Sequence, residues 1–559
     1  MRRMSPTNAI ARLALIGLCA LGACGDDEVT PPADQVDAGG GGTSPDAAAS
    51  GPMVTIDDGQ LQGEIDGSSS RFLGIPFAQP PVGALRWKAP VPNDPWDGVR
   101  DATAFGPRCA QLESLQGDAS EDEDCLYLNV WTPYPAPTGQ LPVMVWFHGG
   151  GNQAGGTADL VPLGVGGLFY DGRALAERYG VVVVTTSYRL GPLGFFYHPA
   201  LADEGSPLGN QGLLDQRRAL EWVRDNIAAF GGDPANVTIF GESAGSQDVC
   251  LQMAAPGSAG LFHRGISESG GCTTRVSTTA DAEAGAAAFT EAMGCAEADD
   301  TLACLRDVPP GQLLMPAPIE GAPPDTLPGG DGYQGGTPSW GFGPLVDGEV
   351  IPDQPRALFD AGQAADVPYI LGTNTDEGTL FHIGATPVTS AEELLAALER
   401  RFGAAAASTI AAAYPLADFE SPDAALQRIT GDAGLVCPTH DTARRAAAAG
   451  RDVWMYNFDY PLPIPGLEFL GATHGAEIAF VFGSVEGAEQ DVVGDPIRQY
   501  WSRFAAAGDP NGGKSLAWPA FAPEADARMN FSTELQVVPD FRAAPCAMWR
   551  SLYDAQFTE

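Results

Sequence analysis

The strand-to-helix passage around Ser243 limits the folds open to this chain more than any other stretch. Val237-Thr238-Ile239-Phe240 is a β-branched run, Gly241-Glu242-Ser243-Ala244-Gly245 follows it, and a helical pattern begins directly after. A serine in Gly-x-Ser-x-Gly between strand and helix sits on a sharp turn, where the flanking glycines relieve crowding as the neighbouring backbone closes in. The free N–H groups and dipole at the start of the next helix favour negative charge developing beside the hydroxyl. Gly-x-Ser-x-Gly alone is a loose pattern. The strand before it and the helix after it give it weight.

Short β-branched runs alternate with helical patterns along the rest of the body. Pro142–Phe147, Val181–Thr186, Val237–Phe240, Pro368–Leu371 and Val453–Tyr456 are the expected strands. Between the second and third, Leu213, Leu220, Val223 and Ile227 share one face of a helix predicted to end at Gly231-Gly232. This crossover predicts an α/β fold with a mostly parallel central sheet and helices on both faces. The 559 residues are 44% hydrophobic, enough for one large core, and big α/β enzymes often exceed the usual domain length. No internal repeat or linker interrupts 53–559, which reads as one catalytic domain, with Pro316–Gly343 as a Gly/Pro-rich surface excursion.

A serine hydroxyl needs a base to take its proton. Of six histidines, His148, His198, His263, His382 and His440 fall in positions better explained by loops or packing, whereas His474 lies late in the chain in Gly471-Ala472-Thr473-His474-Gly475-Ala476-Glu477. The chain order serine, acid, histidine requires an acid between them, after a strand. Thr373-Asn374-Thr375-Asp376-Glu377-Gly378 supplies two adjacent candidates, Asp376 and Glu377, and their side-chain directions are open at this point. Phe147-His148-Gly149-Gly150-Gly151-Asn152 follows the first strand. Its glycines allow backbone N–H groups to face an oxyanion, so Gly150, Gly151 and Ala244 are the expected donors. No Gly-Lys-Ser/Thr follows, as a phosphate-binding loop would need.

The N-terminus reads as an export signal over 1–23: Arg2, Arg3 and Arg12 precede an apolar run, Leu13–Leu21, too short to span a bilayer comfortably. Leu21-Gly22-Ala23-Cys24 resembles a lipobox, which makes Cys24 the expected lipidation site and membrane anchor; the alternative is a plain secretory signal cleaved nearby, with Cys24 incidental and the protein secreted. Residues 24–52, rich in Asp, Gly, Ala and Pro, are expected to form a flexible tether. The formal net charge of −41 disfavours nucleic acid as a partner. Setting Cys19 and Cys24 aside leaves eight cysteines, an even number suited to disulfides in an exported protein, and none has zinc-ligand spacing with histidine.

Together these stretches, with Phe72–Ala78, Glu123–Val130, Asn210–Leu213 and Gly508–Asn511, resemble the type-B carboxylesterases, the group that includes cholinesterases, para-nitrobenzyl esterases and neuroligins. The resemblance implies an α/β-hydrolase fold and hydrolysis of a small to medium carboxylic ester through an acyl-enzyme, with no cofactor. It selects Glu377 as the acid, matches His474, and places Glu242 and Ser269 beside the triad as hydrogen-bonding support, with simple packing as the alternative. It further implies the bridges Cys109–Cys125, Cys295–Cys304 and Cys437–Cys546; the leftover pair is Cys250–Cys272. The interval Cys109–Cys125 lacks the tryptophan with which cholinesterases hold a quaternary ammonium, so choline esters are disfavoured. Trp340 and Phe342 fall where the family lines its acyl pocket, with a core role as the alternative. The competing functions are a non-catalytic, neuroligin-like binding protein and an amidase or peptidase using the same triad. Natural ester and oligomeric state are not legible.

Overall fold

The computed structural model describes residues 51–160, 168–315, 341–485 and 487–557. The expected signal over 1–23, Cys24, nearly all of the tether, Trp340 and most of the Pro316–Gly343 excursion lie outside the described residues.

Eleven strands form the central sheet: β1 (Glu64–Asp66), β2 (Ser69–Pro76), β3 (Tyr127–Pro133), β4 (Leu141–Phe147), β5 (Val182–Thr186), β6 (Gly232–Glu242), β7 (Arg264–Glu268), β8 (Tyr369–Asn374), β9 (Val453–Phe458), β10 (Arg528–Phe531) and β11 (Gln536–Val538). Their spatial order is β11-β10-β9-β8-β7-β6-β4-β5-β3-β2-β1. The seven from β4 to β10 pair in parallel; β1, β2, β3 and β11 join antiparallel at the edges. All five expected strands are present. β4, near the middle of the sheet, is apolar on both faces, as a sheet covered on both sides requires. Val143, Val145 and Phe147 of β4 pack into one core with Val182 and Val184, while Met144 and Trp146 turn into a second with Val181 and Val183. The period of two thus divides a continuous hydrophobic run between two helical layers.

Helix α1 (Gln211–Asn226) buries Leu213, Leu220, Trp222 and Val223 against the first core. The predicted crossover helix is α1, but Ile227 begins a 3-10 turn, Ile227–Phe230, and only Gly231 caps it, at φ 83°. Gly232 already belongs to β6. Helix α2 (Ala244–Ala254) follows β6 directly. Helices α3 (Pro422–Gly431), α4 (Cys437–Ala448) and α5 (Ala543–Ala555) build a third apolar cluster around Leu398, Ile429, Val436 and Trp549.

Four disulfides join Cys109–Cys125, Cys250–Cys272, Cys295–Cys304 and Cys437–Cys546. Cys437–Cys546 ties α4 to α5 across a sequence separation of 109, against 9 for Cys295–Cys304. Loop-closure entropy makes the longer bridge worth about 2 kcal/mol more. Calorimetry should therefore show a larger fall in unfolding midpoint for Cys437→Ala/Cys546→Ala than for Cys295→Ala/Cys304→Ala. Equal falls would contradict this.

Candidate active site

The parallel register brings four strand ends level. Phe147 of β4 pairs with Gly241 of β6, Glu242 with Glu268 of β7, and Glu268 with Gly372 of β8. Each chain segment leaving these ends carries part of one cluster, at the carboxyl edge where open α/β sheets bind ligands.

Ser243 is the hinge between β6 and α2, with φ 58° and ψ −122°. Its N–H donates to the Glu268 carbonyl at 2.9 Å, and its own carbonyl accepts from Gln247 at 3.0 Å. A Cβ on Gly245 would lie 2.0 Å from the Phe147 carbonyl oxygen, and one on Gly241 would lie 2.6 Å from the Gly245 carbonyl. Only glycines permit strand, turn and helix to approach this closely.

The acid and histidine loops are stitched to each other. Asp376 and Thr473 form a parallel bridge, the Asp376 N–H donates to the Ala472 carbonyl at 2.9 Å, and the Asp376 carboxylate accepts the Ala472 N–H at 3.1 Å. Glu377 then reaches the imidazole: His474 Nδ1 lies 2.7 Å from Glu377 Oε2. The other oxygen, Oε1, accepts from the Ser269 hydroxyl at 2.6 Å and the Asn374 N–H at 2.7 Å. The two adjacent acids therefore divide the work: Glu377 meets the ring, and Asp376 clamps the loop that carries it. His474 Nε2 lies 3.2 Å from Oε1 of Glu242, the residue before Ser243. Among the described residues the Ser243 hydroxyl makes no hydrogen bond, so the expected contact between it and His474 is not closed in this arrangement.

The other five histidines are engaged elsewhere. His148 stacks on Tyr188 with ring centroids 4.4 Å apart, and burial pushes it down to about 4. His198 and His263 accept backbone N–H groups, His382 bonds Thr430, and His440 pairs with Asp526.

The glycine loop leaves β4 with Gly150 at φ 108° and Gly151 at φ 65°. Tyr188 donates its hydroxyl to the His148 carbonyl at 2.7 Å, and Gly191 donates to the Asn152 carbonyl at 2.7 Å. Among the described residues nothing accepts a hydrogen bond from the N–H of Gly150, Gly151 or Ala244. Gln116, from the Cys109–Cys125 loop, sits against Gly150: a Cβ there would lie 2.6 Å from Gln116 Oε1. Phe342 packs in the core against Phe289 and Phe196, and its carbonyl accepts from Gln153. Phe381 lies tilted over the imidazole at 5.1 Å.

Two further carboxylates, Glu268 and Glu477, went unassigned in the sequence. Glu477 takes the side-chain N–H of Asn374, and Glu268 Oε1 accepts from Trp501 Nε1 at 2.8 Å. Their proximity to Ser269 and His474 in sequence was the available signal. With Glu242 and Glu377 they make four buried glutamates around one imidazole. Burial raises Glu268, Glu477 and Glu242 above the usual carboxylate range, and their neighbouring carboxylates push the same way. Burial alone would lower His474, but the charges of Glu242 and Glu377 outweigh it and hold the imidazole proton to higher pH. Among the described residues no group of three or more His, Cys, Asp or Glu could hold a metal ion.

The sequence matches the model of the carboxylesterase family over residues 50–549. The chain belongs to that family. It is 34% identical over 545 residues to the cholinesterase of Mus musculus, covering 90% of this chain and 87% of the relative. A solved PNB esterase superposes with a TM-score of 0.75 at 36% identity, covering 89% of this chain and 99% of that one. The fold is thus the α/β-hydrolase fold, and the carboxylesterase is a serine ester hydrolase.

An imidazolium cannot accept a proton, so with His474 as the expected base, kcat/KM of this carboxylesterase should rise with pH as His474 deprotonates. Glu242→Gln removes the leading charge that raises the imidazole, so the acid limb should move to lower pH by about 1 unit or more. A pH–rate profile checks this; an unmoved limb, or one moved upward, contradicts it.

Proposed function

We propose that the protein hydrolyses an uncharged small to medium carboxylic ester through an acyl-enzyme on Ser243. The hydroxyl oxygen attacks the ester carbonyl while His474 takes its proton. Glu377 orients the imidazole and stabilises it once charged. The N–H groups of Gly150, Gly151 and Ala244 receive the oxyanion. His474 returns the proton to the departing alcohol and draws one from a water that attacks the acyl carbon; the bond to Ser243 then breaks, and the imidazolium gives that proton to the Ser243 oxygen as the acid leaves.

The observation that carries this reading is the Glu377–His474 Nδ1 bond, which leaves Nε2 beside the carboxylate of Glu242, the residue before Ser243. The open contact to the hydroxyl fits a site that tightens when substrate binds. Glu242 and Ser269 act as supports, one beside Nε2 and one on Glu377. A pure binding module has no use for this full set, and the family favours esters over amides. The cation site of choline esters has no tryptophan to form it between Cys109 and Cys125. We also infer export, with 1–23 as signal, Cys24 as lipid anchor and 24–52 as tether; four disulfides support an oxidising compartment.

Ser243→Ala should abolish turnover of p-nitrophenyl butyrate and leave the unfolding midpoint nearly unchanged. Retained turnover in that variant would place the nucleophile elsewhere.

A further inference from the structure

We infer that Asp248 is a positioning residue for the oxyanion loop, acting through the side chain of Asn152; this rests on the proposed role of Gly150, Gly151 and Ala244. The three donors come from two segments, the loop after β4 and the first residue of α2. A hole of this kind works only if the segments keep a fixed spacing, because its donors must point to where charge develops before it appears. The paired strands β4 and β6 set the stem of the loop, but the backbone beyond His148 has left the sheet.

Asn152 follows Gly151 directly, is buried, and holds φ 58°. Its Nδ2 donates to Asp248 Oδ1 at 3.2 Å. Asp248 lies on α2, the same helix that presents Ala244, and is fully buried. Its other oxygen accepts from Gln216 Nε2 of α1 at 2.6 Å. The chain continues: Gln252 Nε2 donates to Gln216 Oε1 at 3.1 Å, and Ser258 donates to Gln252 Oε1 at 2.6 Å. A buried polar network therefore runs from the glycine loop, through the nucleophile-bearing helix, to α1. Each Asp248 oxygen accepts one amide N–H, which is the pattern of a carboxylate. Burial pushes this group up to about 7, while the hydrogen bonds from Gln216 and Asn152 act the other way. A carboxyl in that position is expensive to retain unless its partners matter. Because the network ends on the loop's Asn152, that residue receives the constraint.

The test is a double-mutant cycle with Asn152→Gly, which removes the amide but accepts the positive φ, and Asp248→Ala, which removes both acceptors. Steady-state ester kinetics are read beside the affinity of an alkyl trifluoromethyl ketone, which forms an oxyanion adduct. Each single variant should lower kcat about tenfold or more, hold KM within about twofold, and weaken the ketone by a matching factor. The double variant should be no worse than the poorer single. Unchanged kcat in either folded single, or losses that multiply in the double, would overturn the inference. If Asp248→Ala does not fold, Asn152→Gly decides alone: wild-type kcat and ketone affinity refute the tie. Failure of the underlying reading looks different, since the wild-type protein itself would then not bind the ketone.

Discussion

Everything in the site is referred to one strained backbone position, the φ 58°, ψ −122° of Ser243. A non-glycine residue held there costs of order 1–3 kcal/mol and persists only where its surroundings over-determine it. Here they do. The Ser243 N–H is bonded to β7, its carbonyl starts α2, and Gly241 and Gly245 let β4 close in from the other side. The same turn leaves the Ala244 N–H at the head of a helix and directs Glu242 back toward the imidazole. A β-carbon at position 245 would push the helix off the Phe147 carbonyl, displacing the glycine loop and the donor at 244 together.

Around that turn the dominant force is electrostatic. Four buried carboxyl groups and one imidazole share a volume from which water is largely excluded. Charges buried in this way are held by hydrogen bonds or by retained protons, not by the solvent. Glu377 accepts from Ser269 and Asn374 and meets His474 Nδ1. Glu242 has burial and two neighbouring carboxylates against it, and the charge of the imidazole acts the other way. The whole-chain charge of −41 has no part in this, because the balance is struck among groups a few ångströms apart.

Much of this was legible in sequence where the signal is local. The Ser243 turn, the glycine loop and the strands flanking them are written in contiguous residues, because strand period and turn chemistry act over a few positions. His474 followed from chain order and elimination, and the structure finds the other histidines engaged. The choice between Asp376 and Glu377 was not local: both are acids in one loop, and only the bridge to Thr473 turns one onto the backbone and the other onto the ring. Glu268, Asp248 and Asn152 were illegible for a related reason. Each is an ordinary polar residue until tertiary packing buries it beside a particular partner. Cys250–Cys272 could be reached by counting, since the other six cysteines were already paired by resemblance.

The proposed chemistry requires the hydroxyl oxygen of Ser243 to form the covalent bond. Treating the protein with a p-nitrophenyl phosphonate ester, an acylation mimic that does not turn over, and mapping the adduct by peptide mass spectrometry tests that directly. The account predicts one adduct per chain, on Ser243, formed in step with loss of esterase activity. An adduct on another residue, or inactivation with Ser243 unmodified, would contradict it.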